Sequence, residues 1–122
     1  MNILCLPYGF SVCKLPYDAA FSFGKEPYTF LSRTENEFSL LCKTEEAPHS
    51  VLSREDGWKG FCIEGSLDFS LVGILSEISG ILAREGIAIF ALSTYDTDYI
   101  FVKEERFESA CEALRAAGHI VR

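Results

Sequence analysis

The sequence predicts an α+β fold in which residues 58–122 form a ferredoxin-like βαββαβ unit and residues 1–57 form an atypical, strand-rich half. Two segments of the second half repeat apolar residues three and four positions apart, and a glycine follows each of them, as at helix ends. Short apolar runs flank and separate these segments, which is typical of strands. The resulting order, β-α-β-β-α-β, is that of the split βαβ motif.

The first strand and the first helix of this unit are predicted within residues 58–86. Phe61 and Ile63 stand two positions apart in WKGFCIEG, which ends at a glycine as a short strand would. Asp68 and Ser70 are N-cap residue types, and Gly86 is placed to end the helix that follows them. The apolar face of this helix consists of Leu71, Ile74, Leu75, Ile78, Ile81 and Leu82.

Two strands, a second helix and a last short strand complete the unit. IAIFALS, residues 87–93, is an almost continuous apolar run and predicts a strand covered on both faces, and residues 99–102 predict its neighbour. The charged stretch KEER begins the second helix with acidic side chains near its N-terminus. Gly118 ends this helix, and residues 119–121 predict the last strand. The apolar face of the second helix consists of Phe107, Ala110, Cys111, Leu114 and Ala117.

The first half of the chain has few helix signals. A weak pattern at residues 50–54 is compatible with a short helix. The polar stretch SREDG, residues 53–57, is the best candidate for an internal boundary and divides the chain into units 1–57 and 58–122. Strands are predicted over residues 2–6, 11–15, 28–33 and 38–43.

Composition and charge exclude several classes of partner. Apolar residues make up 48% and charged residues 24% of the 122 residues, which is ordinary for one compact domain or two very small ones. Eleven basic and eighteen acidic residues give a net charge of −7, and an acidic protein repels a phosphate backbone. No apolar run approaches the ~20 residues that cross a bilayer. We therefore expect no nucleic acid and no membrane as a partner, and a cytoplasmic location.

The five cysteines predict core packing rather than a metal site or a disulfide framework. They are scattered, odd in number and set among apolar neighbours, and no C-x-x-C spacing occurs. His49 and His119 lie far apart in the sequence. We therefore expect reduced thiols that act as small core residues, with no metal and no cofactor.

The start of the first helix is one of two places where the sequence departs from simple core-building. Gly73 is predicted in the first helical turn, where a glycine costs up to ~1 kcal/mol relative to alanine. It permits close approach by another group, and the free N–H groups of a helix start attract an anion such as a carboxylate. From this stretch alone, close packing of a neighbouring element is the preferred explanation of Gly73.

The second such place is STYDTDY, residues 93–99, which joins two apolar runs. Serine, threonine and aspartate bond to backbone groups in Asx and ST turns, which explains two or three of these polar residues. The turn is predicted around Asp96 and Thr97, with Asp98 at the start of the return strand. A carboxylate between apolar residues needs a partner, and an amine is a natural one. Asp98 and the N–H groups at the helix start would together complement an amino acid.

Two stretches of the sequence resemble one known family. DFSLVGILSEISGILAREGIAIFALSTYDTDYIFVKEE is similar to the ACT-domain superfamily of small-molecule-binding regulatory modules. Its ST-x-x-TDYI-x-V pattern, like SRTENEFSLLCKTEEAP, resembles a stand-alone bacterial tandem-ACT branch. That branch is related to aspartate kinase regulatory domains and to the CASTOR-type arginine sensors of animals. The likeness covers about residues 28–115 and implies two units, an atypical ACT-like one at 1–57 and an ACT domain at 58–122.

The resemblance also implies a ligand site. Gly73 and Ile74 would offer backbone N–H groups to the carboxylate of an effector amino acid. Ser93, Thr94 and Asp98 would line the opposite wall, with Asp98 meeting an amine or a polar side chain. We expect no kinase or other catalytic domain, so such a module would act through a regulated protein or through its own homodimer.

Two other functions stay open at this point. An enzyme would use Asp96 and Asp98 as acid and base, or a serine or cysteine nucleophile beside a base. The sequence marks no such pairing, so we expect no catalytic residue and no enzymatic activity. Alternatively, the chain is a homodimeric interaction module without a small ligand, held together by strand edges. That alternative predicts a molecular mass independent of added amino acids.

Overall fold

The computed structural model describes residues 1–22, 24–64 and 73–122. The chain forms two compact units: a large unit of Met1–Pro7 and Trp58–Arg122, and a small unit of Tyr8–Gly57. Single turns of 3-10 helix cover Thr44–Glu46 and Glu104–Arg106. The other elements are β1 (Asn2–Leu15), β2 (Phe30–Arg33), β3 (Phe38–Lys43), β4 (Ser53–Ile63), α1 (Ile74–Arg84), β5 (Ile89–Ser93), β6 (Asp98–Lys103), α2 (Phe107–Ala116) and β7 (Ile120–Val121).

The large unit contains the predicted order β-α-β-β-α-β as β4, α1, β5, β6, α2 and β7. β6 lies between β4 and β5 and is antiparallel to both. The last strand, β7, pairs in parallel with the start of β1, where Asn2 faces Ile120 and Ile3 faces Val121. Because β1 is also the neighbour of β4, a strand from the start of the chain stands between β4 and β7. The local pattern of residues 58–122 does not encode this insertion.

The core of the large unit lies between one face of its sheet and the two helices. Alternation along the strands brings Phe61 and Ile63 of β4, and Ile100 and Val102 of β6, to this face. Truncating a large apolar side chain in such a core typically costs about 2–5 kcal/mol, so this packing holds α1 and the β5–β6 hairpin in place. The buried helix residues belong to the predicted apolar faces: Ile78, Ile81, Leu82, Ala110, Cys111 and Leu114.

The opposite face of this sheet carries aromatic side chains. Phe90 stacks on Phe101 with ring centroids 5.0 Å apart, and Trp58 meets Phe90 edge-on at 4.5 Å. Gly60 faces Phe101 across the β4–β6 pair, and a Cβ at Gly60 would lie 2.8 Å from Phe101 Cε1. The ring of Phe101 lies against β4 because residue 60 has no side chain.

β5 differs from its prediction as a strand covered on both faces. It stands at the end of the strand order, and within the described part of the chain it pairs with β6 alone. Ala91 and Ser93 are exposed and the other three residues are half-buried. The prediction is wrong because the helices cover only one face of the sheet and β5 stands at its edge. The apolar run therefore belongs to an edge strand that is half-buried rather than covered on both faces.

The small unit is strand-rich, as predicted, and has a core of its own. β3 lies between β2 and β1 and is antiparallel to both. Leu15 faces Phe38 and Phe10 faces Lys43 in the β1–β3 register. Its buried cluster consists of Cys13, Leu15, Phe38, Leu40 and Cys42.

Several predictions for the first half differ from the structure. The two strands predicted before residue 16 are one strand, β1, because Pro7 and Gly9 lie outside its segments that pair with β3 and β7. Residues 50–54 form no helix, and the polar stretch 53–57 lies inside β4, where the charged side chains of 53–56 are exposed. The predicted caps Asp68 and Ser70 lie outside the described residues. The division into ACT-like units 1–57 and 58–122 stays a prediction.

Candidate functional site

The turn between β5 and β6 is closed by its own hydroxyl groups. Thr94 and Thr97 form it: the Thr94 backbone N–H and Oγ1 both donate to the Thr97 carbonyl oxygen, at 2.8 and 3.1 Å. The Thr97 backbone N–H donates back to Thr94 Oγ1 at 3.4 Å. Asp98 begins β6, as predicted, and the turn spans Thr94–Thr97. The side chain of Thr94 therefore acts first as a turn-closing group.

Thr97 ties this turn to the end of β4. Its Oγ1 donates to the carbonyl oxygen of Ile63 at 2.6 Å. The sequence does not predict this role of Thr97, because the bond joins positions 34 residues apart and only the β4–β6 pairing brings them together. The hairpin turn is thereby fixed beside the point where the chain leaves β4.

Ser93 and Asp98 form a directly opposed pair across β5 and β6. Ser93 Oγ donates to Asp98 Oδ1 at 2.5 Å. Within residues 1–22, 24–64 and 73–122, neither Lys nor Arg forms a salt bridge with Asp98. The half-buried carboxylate thus holds one short hydrogen bond and retains acceptor capacity on its second oxygen.

Gly73 is the N-cap of α1 rather than a residue of its first turn. Its φ of 82° and ψ of 0° lie in the left-handed region, which glycine adopts without steric cost. Its carbonyl oxygen accepts the first helical hydrogen bond, from the Glu77 N–H at 2.8 Å. Among the described residues no atom stands within 4 Å of a Cβ built at Gly73, so backbone conformation rather than close packing explains the glycine.

The start of α1 offers backbone donors and little else. Ile74 packs against the core of the large unit, which leaves its N–H as its contribution to any site at the helix start. The first N–H groups of a helix have no partner within it, and no side chain of the described chain caps α1. Glu77 brings a negative charge to the first turn, and its Oε1 lies 3.5 Å from Nε2 of the buried His119.

The five predicted site residues form two groups. Ser93, Thr94 and Asp98 come together in one hairpin end, whereas Gly73 and Ile74 stand at the start of α1. No hydrogen bond within the described ranges joins the two groups. α1 has 11 residues and β5 has 5, and each spans about 16 Å at 1.5 and 3.3 Å per residue. Because the chain reverses between them, the start of α1 and the end of β5 lie at the same end of the unit.

The described residues hold no cluster that resembles a metal centre. No group of three His, Cys, Asp or Glu side chains stands close enough to share an ion in the part of the chain that the structure describes. The five cysteines are free thiols. Burial raises the pKa of Cys111 to about 12, with the Cys5 thiol 4.0 Å away, so this thiol stays neutral in the core. No helix of the described residues is long and apolar enough to cross a bilayer.

These features define the class of protein: an α+β domain with two helices on one sheet face and a hydroxyl-rich hairpin at one end. A family model described as the ACT domain matches residues 53–116, which is more than half of the chain. The chain belongs to the ACT domain family. The matched segment contains α1 and the β5–β6 hairpin, and thus both groups of predicted site residues.

Solved structures share this fold. Protein Atu0741 from Agobacterium tumefaciens is 26% identical with a TM-score of 0.89, over 99% of this chain and 91% of that one. VC0802 from Vibrio cholerae, a protein of unknown function described as a possible transport protein, is 19% identical (TM-score 0.68; 94% and 88% covered). The Clostridium acetobutylicum aspartate kinase, described as an allosteric enzyme, is 14% identical (TM-score 0.61), with 89% of this chain covering 32% of that one. No curated protein sequence matches the chain.

Proposed function

We propose that this protein is a regulatory module that binds a small molecule, most simply an amino acid, and has no catalytic activity of its own. The observation that carries the proposal is the ACT domain match over residues 53–116, because ACT domains are generally small-molecule-binding regulatory modules. Two further proposals accompany it. Residues 1–57 form an atypical ACT-like partner of an ACT domain at 58–122, and the protein acts in the cytoplasm on a regulated protein or through its own homodimer.

In the proposed site, backbone N–H groups face the carboxylate of the ligand and a protein carboxylate faces its ammonium group. The N–H groups at Gly73 and Ile74 would bind the ligand carboxylate, since a helix start carries free donors and a partial positive charge. Asp98 would accept from the ligand ammonium with the oxygen that Ser93 does not occupy. Ser93 and Thr94 hydroxyls would add polar contacts beside it. This division of roles complements a zwitterion and rejects a dicarboxylate at the Asp98 side.

The aspartate kinase likeness supports the regulatory part of this proposal. That protein is described as allosteric, and the present chain matches about a third of its length. At 14% identity the likeness establishes the fold alone, so a regulatory role for this chain is our inference.

A second candidate function is homodimerisation without a small ligand, and the edge strand β5 favours it. Its sequence, Ile89-Phe-Ala-Leu-Ser93, contains no charged residue and no proline, the usual devices that protect an edge from pairing. β5 also ends the strand order of the large unit. A second copy could extend the sheet there, and the hairpin polar groups would then belong to the interface.

Thermal melting against each of the twenty amino acids at millimolar concentration tests the two candidates. A ligand at a hundred times its dissociation constant adds about 2.7 kcal/mol to the native state, which moves the midpoint by several degrees. We expect one amino acid, or a small related group, to raise the midpoint. The response should be lost in Asp98→Ala while the variant stays folded.

Size-exclusion mass separates the alternatives. If no amino acid changes the midpoint, and a dimer of constant mass forms with and without all twenty, the homodimer alternative is supported and the proposal of an amino-acid ligand is refuted. A midpoint response that disappears only in variants that also unfold would leave Asp98 without a role in binding.

A further inference from the structure

The small unit contains a cavity of its own, separate from the proposed site in the large unit. Its volume is about 270 Å³, roughly nine times the ~30 Å³ that a water molecule occupies in the liquid. Phe21, Cys42 and Pro48 provide uncharged parts of the lining, and Glu26, Thr29 and Glu46 provide polar ones. The cavity is therefore the size of a small metabolite and has a mixed lining.

Glu26 is held in position on this wall. Its Oε2 accepts a hydrogen bond from Lys43 Nζ at 2.9 Å, and the exposed fraction of the Lys43 side chain is only 8%. The Lys43 ammonium also lies 4.8 Å from the centroid of the Tyr8 ring. Thr29 Oγ1 donates to the Glu26 carbonyl oxygen at 2.9 Å. A carboxylate fixed in this way loses little further freedom when it binds a ligand.

The electrostatics of the cavity favour one positive charge. Lys43 balances Glu26, whereas Glu46 forms no salt bridge within the described ranges. The small unit holds eight acidic and five basic residues, so its surroundings do not neutralise Glu46. Both glutamate side chains are exposed, so they would repel a negatively charged ligand and attract a positively charged one.

Cys42 supplies a second, independent sign that the cavity is built for an apolar body. Its exposed fraction is 2%, it lines the cavity, and its thiol forms no hydrogen bond within the part of the chain that the structure describes. Burial raises the pKa of this thiol to about 11, so it remains neutral at physiological pH. The thiol, the Phe21 ring and Pro48 therefore form the uncharged part of the cavity lining.

We propose that this cavity binds a small organic cation with a primary ammonium group, whose charge lies at Glu26 and Glu46 and whose apolar body packs against Phe21, Cys42 and Pro48. A metal ion is the weaker occupant, because the described residues include no set of three His, Cys, Asp or Glu groups that could hold one. This site is independent of the proposed amino-acid site and would give the protein a second input.

Isothermal titration calorimetry with n-butylammonium chloride tests the proposal, with sodium butyrate and 1-butanol as probes of the same apolar body. We expect the wild-type protein to bind the ammonium and neither of the other two. Glu46→Gln should weaken binding about two- to fivefold, as expected for loss of an ion pair with an exposed carboxylate. Glu45→Gln is the matched control: it removes the same charge one residue away, from a side chain that lies 4.0 Å from Lys43 Nζ and does not line the cavity, and it should change affinity by less than about twofold.

Amide chemical shifts of the wild-type protein keep the test independent of any variant's folding. Titration with n-butylammonium should shift Thr29, Cys42 and Glu46 with one common dissociation constant. Absence of binding by the wild type, equal binding of butyrate, or equal losses in Glu45→Gln and Glu46→Gln would each overturn the proposal. Asp98→Asn distinguishes the two sites, because it should reduce the amino-acid response and leave butylammonium binding unchanged; the reverse pattern would overturn the cavity proposal.

Discussion

The Ser93–Asp98 pair allows the structural and ligand-binding roles of one carboxylate to be separated. Asp98→Asn keeps an oxygen that accepts from Ser93 Oγ and removes the charge that a ligand ammonium would meet. Hydrogen bonds to charged groups are worth about 1.5–3 kcal/mol and neutral ones about 0.5–1.5. For a pair at the surface we expect a loss of about 0.5–1 kcal/mol in the free energy of unfolding.

The expected midpoint shifts follow from the size of the protein. Unfolding entropy of about 2.1 cal/mol/K per residue over 122 residues gives ~0.26 kcal/mol per degree, so ligand-free Asp98→Asn should melt about 2–4 °C lower. At a hundred times its dissociation constant the ligand should raise the wild-type midpoint by about 10 °C. A tenfold to hundredfold loss of affinity leaves about 1.4 to 0.4 kcal/mol, and thus a rise of about 5 to 2 °C.

Asp96→Asn provides the control, since it removes the same charge within the same turn. Differential scanning calorimetry with and without the responding amino acid should show a full ligand shift for Asp96→Asn and a reduced one for Asp98→Asn. Equal ligand shifts in the two variants would refute the reasoning, because the Asp98 carboxylate would then have only its local role beside Ser93.

Three further predictions concern the fold. Gly60→Ala should lower the free energy of unfolding by about 1–3 kcal/mol, because the new Cβ meets the buried Phe101 ring. Gly9→Ala should not lower it, since the nearest atom to a Cβ there stands at 3.7 Å. Urea unfolding of both variants checks this, and equal midpoints would contradict it. Gly73→Ala should lower the free energy of unfolding by about 1–2 kcal/mol, because residue 73 has a left-handed backbone conformation, and Gly73→Asn should lower it less. Calorimetry ranks the stabilities of the two variants, and the opposite order would be evidence against a conformational role of the glycine. The free energy of unfolding should fall as pH rises above about 9, because the thiols ionise there in the unfolded chain while burial holds the pKa of Cys42 near 11 and that of Cys111 near 12 in the folded protein. Replacing both cysteines by alanine should flatten this decline between pH 9 and 11. An unchanged slope would contradict this cause.

Local patterns predicted the helices and the hairpin well. The apolar spacing of Ile78, Leu82 and Leu114 identified residues that are buried in the core, and Asp98 begins its strand as expected. These features depend on neighbours a few positions apart, which a single sequence displays directly. The limits of β3 were likewise predicted at Phe38 and Lys43.

Non-local features could not be predicted in the same way. The pairing of β1 with β7 joins residues more than a hundred positions apart, and β7 has only two residues, too few for a pattern. The apolar run of β5 reads as a buried strand because sequence does not reveal that it stands at an edge. The cavity lined by Glu26 and Glu46 depends on loop packing, which carries no periodic signal.

The candidate site shows the same division. Sequence placed Ser93 and Asp98 in one polar segment, whereas their pairing across β5 and β6 and the N-cap role of Gly73, with its φ of 82°, are seen only in the structure. The hydrogen bond from Thr97 to Ile63 was missed because it crosses between strands. Whether the two groups of residues bind one ligand is the question that distinguishes a sensor from a module that only dimerises.

That question is answered most directly by backbone amide chemical shifts during titration with the amino acid that raises the melting midpoint. We predict that amides of residues 73–76 and of 93–98 shift together with one dissociation constant, because one ligand contacts both segments. Shifts confined to residues outside both segments, or no saturable shift with any of the twenty amino acids, would contradict the proposed site at Gly73, Ile74 and Asp98.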